Sequence, residues 1–137
     1  MGAHSAANAT EDRPDLVFLL GSRSLGRLVI VELKSANKEL ADEHLTQLLA
    51  YMRIAKDWLG ERGAGNIVVH GQLIGSLGST KSRARGVLAL RERMSVAGPE
   101  TPWKARDYAE VLLDTELAHQ EILTIQRGLS EQADAAT

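Results

Sequence analysis

The residues whose types and spacing suggest chemistry lie at the end of one apolar run. In RLVIVELK, residues 27–34, Glu32 and Lys34 follow four consecutive apolar residues. Successive side chains of a strand point to opposite faces, so residues two apart lie side by side. A glutamate beside a lysine at a strand end is either an exposed ion pair, which is the commonest case, or part of a site.

A second carboxylate is expected close to Glu32. Asp15 opens an earlier apolar run directly after Pro14, and the turn residues GSRSLG at 21–26 predict that the two runs pair as a hairpin. Two converging carboxylates repel each other unless a cation lies between them, and oxygen ligands at a strand end suit Mg²⁺ or Mn²⁺. Lys34, on the same face, could orient or deprotonate a water, or stabilise charge on a phosphoryl group. This set of residues predicts phosphodiester cleavage.

A polar stripe on the next element could complete such a site. His44, Gln47 and Tyr51 are spaced i, i+3 and i+7, so on a helix they share one stripe beside the apolar one. Gln47 could hold Lys34 or a phosphate, and Tyr51 could stack on a base or donate a hydrogen bond to a nucleic-acid backbone. The alternatives are structural: a histidine at the boundary of the core and a tyrosine at the edge of an amphipathic helix.

A basic segment suggests a contact to phosphates. KSRARGVLALRER, residues 81–93, reads as a loop that has one acidic residue and five basic ones: Lys81, Arg83, Arg85, Arg91 and Arg93. A basic loop on a body of net charge −2 could bind phosphate groups, and its first three basic residues are the candidate nucleic-acid contacts. The alternative is a loop whose charges only keep the protein soluble.

Composition limits the class of protein. The chain has 137 residues, of which 44% are hydrophobic and 25% charged, as expected for one modest globular core. The lack of cysteine excludes disulfides, thiolate metal sites and cysteine nucleophiles, and favours a cytoplasmic location. No apolar run approaches the roughly 20 residues of a membrane span. Residues 1–12 lack the basic and apolar regions of a signal peptide and are expected to be a disordered lead-in or an artificial remnant.

Hydrophobic patterning predicts an α/β fold within residues 13–127, followed by a flexible tail at 128–137. Asn37 is predicted to cap the first helix, and Gly71 to form a bulge in the third strand. A helix between two strands that can lie parallel predicts a mixed β-sheet flanked by helices. The predicted elements are strands at 15–20, 27–34 and 66–74, and helices at 38–59 and 103–127.

Three motifs in this order resemble those of the PD-(D/E)xK nuclease superfamily. They are Pro14-Asp15, then Glu32-Leu33-Lys34, then Gln47 and Tyr51 in the pattern QxxxY. The last pattern is similar to that of the RecB-like branch, and RLVIVELKS followed by HLTQLLAYM resembles the Shedu-type nuclease domains of bacterial anti-phage defence. The resemblance covers residues 13–75, and the order and spacing of the motifs are more specific than any one of them.

The resemblance implies roles at the strand ends. Asp15 and Glu32 would be metal-binding carboxylates, the backbone carbonyl of Leu33 a further metal ligand, and Lys34 the catalytic lysine. The expected cofactor is Mg²⁺ or Mn²⁺, and the expected substrate is DNA.

The resemblance also concerns the helix and the whole fold. Gln47 would assist catalysis by supporting the active site, and Gln47 and Tyr51 would contact the nucleic-acid backbone. The implied fold is a restriction-endonuclease-like core, in proteins that often act as dimers or as modules of longer chains. The family's first helix, which often carries a further acidic residue, has no counterpart before Asp15. The chain is therefore expected to be a fragment, or to receive that helix from its own last helix or from a partner subunit.

Three functions follow as hypotheses. The first is a metal-dependent DNA endonuclease domain. The second is a catalytically incomplete module of the same fold that serves nucleic-acid binding or assembly, which the net negative charge favours. The third is a small α/β domain that binds another protein. The presence of all three site residues, Asp15, Glu32 and Lys34, favours the first over the second.

Overall fold

The computed structural model describes residues 14–21, 26–78 and 83–136. The chain divides after Arg106 into two compact units. The elements in chain order are β1 (Leu16–Leu20), β2 (Arg27–Leu33), α1 (Asp42–Glu61), β3 (Val68–Gly75), α2 (Arg85–Val96), β4 (Trp103–Asp107) and α3 (Tyr108–Ala136).

The strands form a four-stranded mixed sheet in the order β1-β2-β3-β4. β1 runs antiparallel to β2 as a hairpin, and β3 lies parallel to β2 after the crossover through α1. The turn between β1 and β2 includes residues 22–25, which lie outside the described residues. The predicted α/β class with a mixed sheet and flanking helices is confirmed.

The core lies between one face of the sheet and α1. Apolar residues at helical spacing on α1 are fully buried, and they meet alternate residues of β2 and β3. The largest fully buried side chains of this unit are Ile30, Leu40, Leu45, Leu48, Leu73 and Leu90. Ile30 faces α1, so Glu32 and Lys34, at even spacing from it, are directed to the same side of β2.

Gly71 lets α1 approach the sheet closely. A Cβ atom added to Gly71 would lie 2.5 Å from Met52 Sδ and 3.1 Å from both Leu48 methyl carbons. The predicted bulge is wrong, because the β2–β3 register runs without interruption and pairs Gly71 with Ile30. The glycine is needed for packing rather than for a distorted strand.

Substitution Gly71→Ala is expected to destabilise the protein by about 1–3 kcal/mol, since the added methyl overpacks the space that Leu48 and Met52 fill. Denaturant unfolding measures this. Gly60→Ala is the matched control: Gly60 lies within α1, and a Cβ atom added to it would meet nothing within 4 Å, so the substitution should raise stability by about 0.5–1 kcal/mol. Equal effects of the two substitutions would contradict the packing role of Gly71.

The first helix begins later than predicted. Its N-cap is Ala41, not Asn37, and the predicted first-turn residue Glu39 instead forms a parallel bridge with Ser76. The Leu40 N–H donates to the Ser76 carbonyl at 2.7 Å, and Leu40 is fully buried. Because the segment after β2 continues to pair with the chain after β3, it stays extended until Leu40 has entered the core.

The basic segment forms a helix rather than a loop. From Arg85 onward it is α2, with Val87 and Leu90 buried at i, i+3 spacing. Two apolar residues among many charged ones are a weak signal in the sequence, although their spacing is that of an amphipathic helix. Lys81 lies outside the described residues.

The end of the chain also differs from the prediction. Residues 103–107 form β4, whose Trp103 and Ala105 pack against the core, where the start of the last helix was predicted. α3 continues to Ala136, beyond the tail predicted from Gly128. A glycine costs only about 1 kcal/mol within an exposed helix, and most of the residues that follow it tolerate helix well. Among the described residues, no helix has the length and apolar character needed to cross a membrane.

Candidate active site

The hairpin register brings Asp15 and Glu32 together. Leu16 pairs with Val31, so one step further Asp15 lies opposite Glu32. The Asp15 N–H donates to Glu32 Oε1 at 3.1 Å, and the Leu33 N–H donates to Asp15 Oδ2 at 2.7 Å. Each carboxylate therefore accepts a hydrogen bond from the backbone of the opposite strand. These two bonds fix the positions of the carboxylates at the strand ends.

Glu32 is a buried acid, only 3% exposed. Its pKa is raised from the ordinary value, first by burial and then by the negative charge of Asp15. The Asp15 N–H and Lys34 act in the opposite direction without cancelling the rise. A cation between the two carboxylates would relieve the unfavourable charge, so this is a site whose electrostatics favour binding of a positive ion.

Lys34 is held at its head by two side chains. Its ammonium lies 3.0 Å from Gln47 Oε1, to which it donates, and 3.5 Å from Glu32 Oε2. Gln47 in turn donates through Nε2 to the Tyr51 hydroxyl at 3.1 Å. The Lys34 side chain is 22% exposed, so its charge stays near solvent while its direction is fixed. The helix and the strand end thus share one hydrogen-bonded chain.

Tyr51 has a different surrounding from the one predicted. It is only 9% exposed and belongs to the hydrophobic core, so its ring is not available for stacking on a base. Its hydroxyl orients Gln47. This position agrees with the structural alternative, a tyrosine at the edge of an amphipathic helix, and the contact of Tyr51 with a nucleic-acid backbone stays a prediction. Its i, i+4 spacing from Gln47 is the sequence signal of their contact.

His44 has a structural role at the start of α1. Its Nδ1 accepts a hydrogen bond from the Ala41 N–H at 2.9 Å, so the side chain at the third helical position satisfies the backbone donor of the N-cap residue. His44 is buried, and burial lowers its pKa, with the positive charge of Lys34 as the second cause. The hydrogen bond from the Ala41 N–H requires an unprotonated Nδ1, so the folded state favours the neutral form of His44.

Stability is therefore expected to fall in mild acid through His44. Its folded-state pKa is below the unfolded value of about 6.5, so the unfolded state binds a proton first and stability declines as the pH falls from about 6.5 toward the folded pKa. Denaturant unfolding of wild-type and His44→Gln protein between pH 5 and 8 measures this. The stability difference between them should shrink toward acid, because wild type loses the contribution of the neutral His44 as the pH falls. A constant difference for His44→Gln would exclude the linkage.

The donor atoms at the strand ends fit a hard divalent cation. Asp15 and Glu32 supply carboxylate oxygens. The N–H and the carbonyl of one strand residue point to the same edge of the strand, and the Leu33 N–H donates a hydrogen bond to Asp15. The Leu33 carbonyl therefore points to the edge of β2 where Asp15 lies. In the described ranges, no group of three or more His, Asp or Glu side chains converges, so the remaining ligands would be water and substrate oxygens. Mg²⁺ commonly keeps several waters in this way.

Some of the basic side chains in the segment 81–93 are engaged within the protein, so fewer of them are available to a ligand than the composition indicates. Arg93 pairs with Asp42 at 2.8 Å and Arg91 donates to the Leu77 carbonyl at 3.2 Å, so both join α2 to its surroundings. Arg83 and Arg85 are exposed. Both predicted phosphate contacts that lie among the described residues are therefore open to solvent.

Comparison of the chain with family models, with curated proteins and with solved structures found no match.

Proposed function

We propose that this chain is a metal-dependent DNA endonuclease domain with a restriction-endonuclease-like core. The observation that supports this most strongly is the continuous contact chain Asp15–Glu32–Lys34–Gln47–Tyr51. It joins two acids, one lysine and a helix amide at a single sheet edge. A surface ion pair would need neither a buried glutamate nor a lysine positioned by a second element.

The order of elements is consistent with the proposed core. The acids lie on an antiparallel hairpin, the supporting amide lies on the helix that follows, and the next strand returns parallel to the second hairpin strand. A mixed sheet with flanking helices is also the fold that the resemblance implies.

Each residue of the site would have a separate role in phosphodiester cleavage. Asp15 and Glu32, with the Leu33 carbonyl, would hold Mg²⁺ or Mn²⁺, which supplies a Lewis acid for the phosphoryl oxygens. The ammonium of Lys34 would orient the attacking water and stabilise the charge that grows on the phosphoryl group. Gln47 fixes the direction of Lys34, and Tyr51 fixes Gln47.

A nicking assay on supercoiled plasmid and on single-stranded DNA tests the proposal. We expect nicking with Mg²⁺ or Mn²⁺, its loss with EDTA, and its loss in Asp15→Asn. Asp57→Asn, an exposed acid on α1, is the matched control and should cut as wild type does. If folded wild-type protein fails to cut either substrate with either metal, the endonuclease proposal is wrong for this chain. A non-cutting module would then be the better account.

Arg83 and Arg85 are expected to contact DNA phosphates. Replacing both with alanine should weaken binding and reduce the slope of log affinity against log salt by about 2, because each lost phosphate contact contributes about 0.9. Fluorescence anisotropy at several salt concentrations measures this. Arg53→Ala/Lys56→Ala removes the same charge from exposed positions of α1 and is the control. An unchanged slope in the Arg83/Arg85 variant would exclude these residues as the phosphate contacts.

A further inference from the structure

A separate cavity of about 300 Å³ lies on the face of the sheet opposite α1. Gly71 faces α1, so by alternation His70 and Gln72 face away from it, beside Arg27 and Val29 of β2. Glu32 and Lys34 point to the α1 side of the same sheet. The cavity is therefore distinct from the candidate active site.

One wall of the cavity is a short connector before β4, and its backbone is fixed. The Gly71 N–H donates to the Pro102 carbonyl at 2.9 Å, and the Thr101 N–H donates to the Gly98 carbonyl at 3.1 Å. Pro99 and Pro102 further limit the conformations of this segment. The wall is thus formed before any ligand arrives, which lowers the entropic cost of binding.

The lining is polar and carries more positive than negative charge. Arg27 on β2 and Lys104 on β4 supply two basic side chains, and Glu100 is the single acidic residue among the lining residues. Gln72 and Thr101 add neutral hydrogen-bonding groups. Two cations on the strands that flank β3 favour an anion between them, and the guanidinium fork matches the oxygens of a phosphate.

His70 completes the lining as a neutral group. Burial lowers its pKa, and the nearby Arg27 charge acts in the same direction. At neutral pH its ring therefore has one N–H donor and one acceptor nitrogen. Val29 and the two prolines supply apolar contact beside these polar groups. Such a mixture of a few polar groups with apolar surface is typical of small-molecule sites, and the volume is at the lower end of their range.

We propose that this cavity binds a phosphate ester of about mononucleotide size, with Arg27 and Lys104 on the phosphate. The ligand is either a free mononucleotide or a phosphate of a nucleic-acid chain, since both present the same group. The proposal does not depend on the endonuclease proposal, because the cavity uses none of the active-site residues. A chain that never cuts DNA could bind such a ligand here.

Calorimetric titration of the full chain with deoxyadenosine monophosphate tests this, with uncharged deoxyadenosine as the comparison ligand. We expect the monophosphate to bind wild type, and to bind Arg27→Ala/Lys104→Ala at least about tenfold more weakly, because charge-assisted hydrogen bonds to the phosphate are lost. Both residues are exposed, so their removal should leave the fold intact, and circular dichroism checks this. Deoxyadenosine should bind wild type and variant equally weakly.

The control variant is Arg53→Ala/Lys56→Ala, which removes the same charge from a neighbouring groove that also includes Asn66. It should bind the monophosphate as wild type does. A short oligonucleotide without terminal phosphates separates the two sources: binding that depends on Arg27 and Lys104 identifies a backbone phosphate, and its failure while the monophosphate binds identifies a free or terminal phosphate. The proposal is overturned if the monophosphate does not bind, if it binds both double variants equally, or if only the control variant loses binding.

Discussion

Glu32→Gln is expected to lower plasmid nicking on the order of 10²-fold or more while leaving the protein folded. The amide keeps an oxygen for the Asp15 N–H but loses the negative charge that a divalent cation needs between Asp15 and Glu32. Glutamine also has nearly the same volume, so the buried position is not emptied. Initial nicking rates at a Mg²⁺ concentration that saturates wild type measure the effect.

The same substitution has an expected effect on stability with a defined sign. The pKa of Glu32 is raised, so its ionisation costs stability as the pH rises from the unfolded value of about 4.5 toward the folded one. Glu32→Gln lacks that loss, so its unfolding free energy should improve relative to wild type across this pH range. Glu61→Gln, at an exposed position, is the control for both measurements and should change neither. A variant that cuts normally, or that loses stability relative to wild type as the pH rises, would show that Glu32 is not the acid described here.

Lys34→Met is expected to lower nicking by about 10²–10⁴-fold, which is the range for removing a group that transfers or orients a proton. Methionine keeps most of the apolar stem but cannot donate to Gln47 or offset the charge of Glu32. Metal binding should remain, since the carboxylates and the Leu33 carbonyl are still present. The experiment pairs a nicking assay with a Mn²⁺ titration of the same variant.

Lys38→Met is the matched control, because Lys38 is an exposed lysine four residues away. It should cut as wild type does. Loss of metal binding in Lys34→Met would mean that the lysine holds the site together rather than acting on substrate. Full activity of Lys34→Met would remove the lysine from the mechanism.

Much of the candidate site could be predicted from the sequence because it depends on local spacing. The period of two along a strand places Glu32 and Lys34 on one face, and the i, i+4 relation places Gln47 beside Tyr51. The predicted hairpin turn implied that Asp15 lies close to Glu32, and the observed strand register places the two residues opposite each other. What the spacing could not predict was burial: Tyr51 belongs to the core and Glu32 is nearly inaccessible.

The parts of the fold that were missed depend on contacts between distant segments. Ala41 rather than Asn37 is the N-cap of the helix because the chain before it pairs with Ser76, far away in sequence. The close approach of Met52 to Gly71 depends on how α1 lies on the sheet, which no local pattern indicates. In each case a tertiary contact overrode the local preference.

In the basic segment the helical signal is weak. It consists of two apolar residues, Val87 and Leu90, which are buried on α2 but stand among many charged residues. Composition does not indicate the partners of Arg91 and Arg93, because the Leu77 carbonyl and Asp42 both lie outside the segment. Counting charges therefore overestimated the surface available to phosphates.

Calorimetric titration of Mn²⁺ into wild type and Glu32→Gln tests the central claim most directly, because it asks whether the strand ends form a cation site apart from any need for DNA or a partner. We expect saturable binding to wild type that is lost in Glu32→Gln and kept in Glu61→Gln. Absence of saturable binding to folded wild type, or binding that Glu32→Gln leaves unchanged, would contradict a cation site between Asp15 and Glu32.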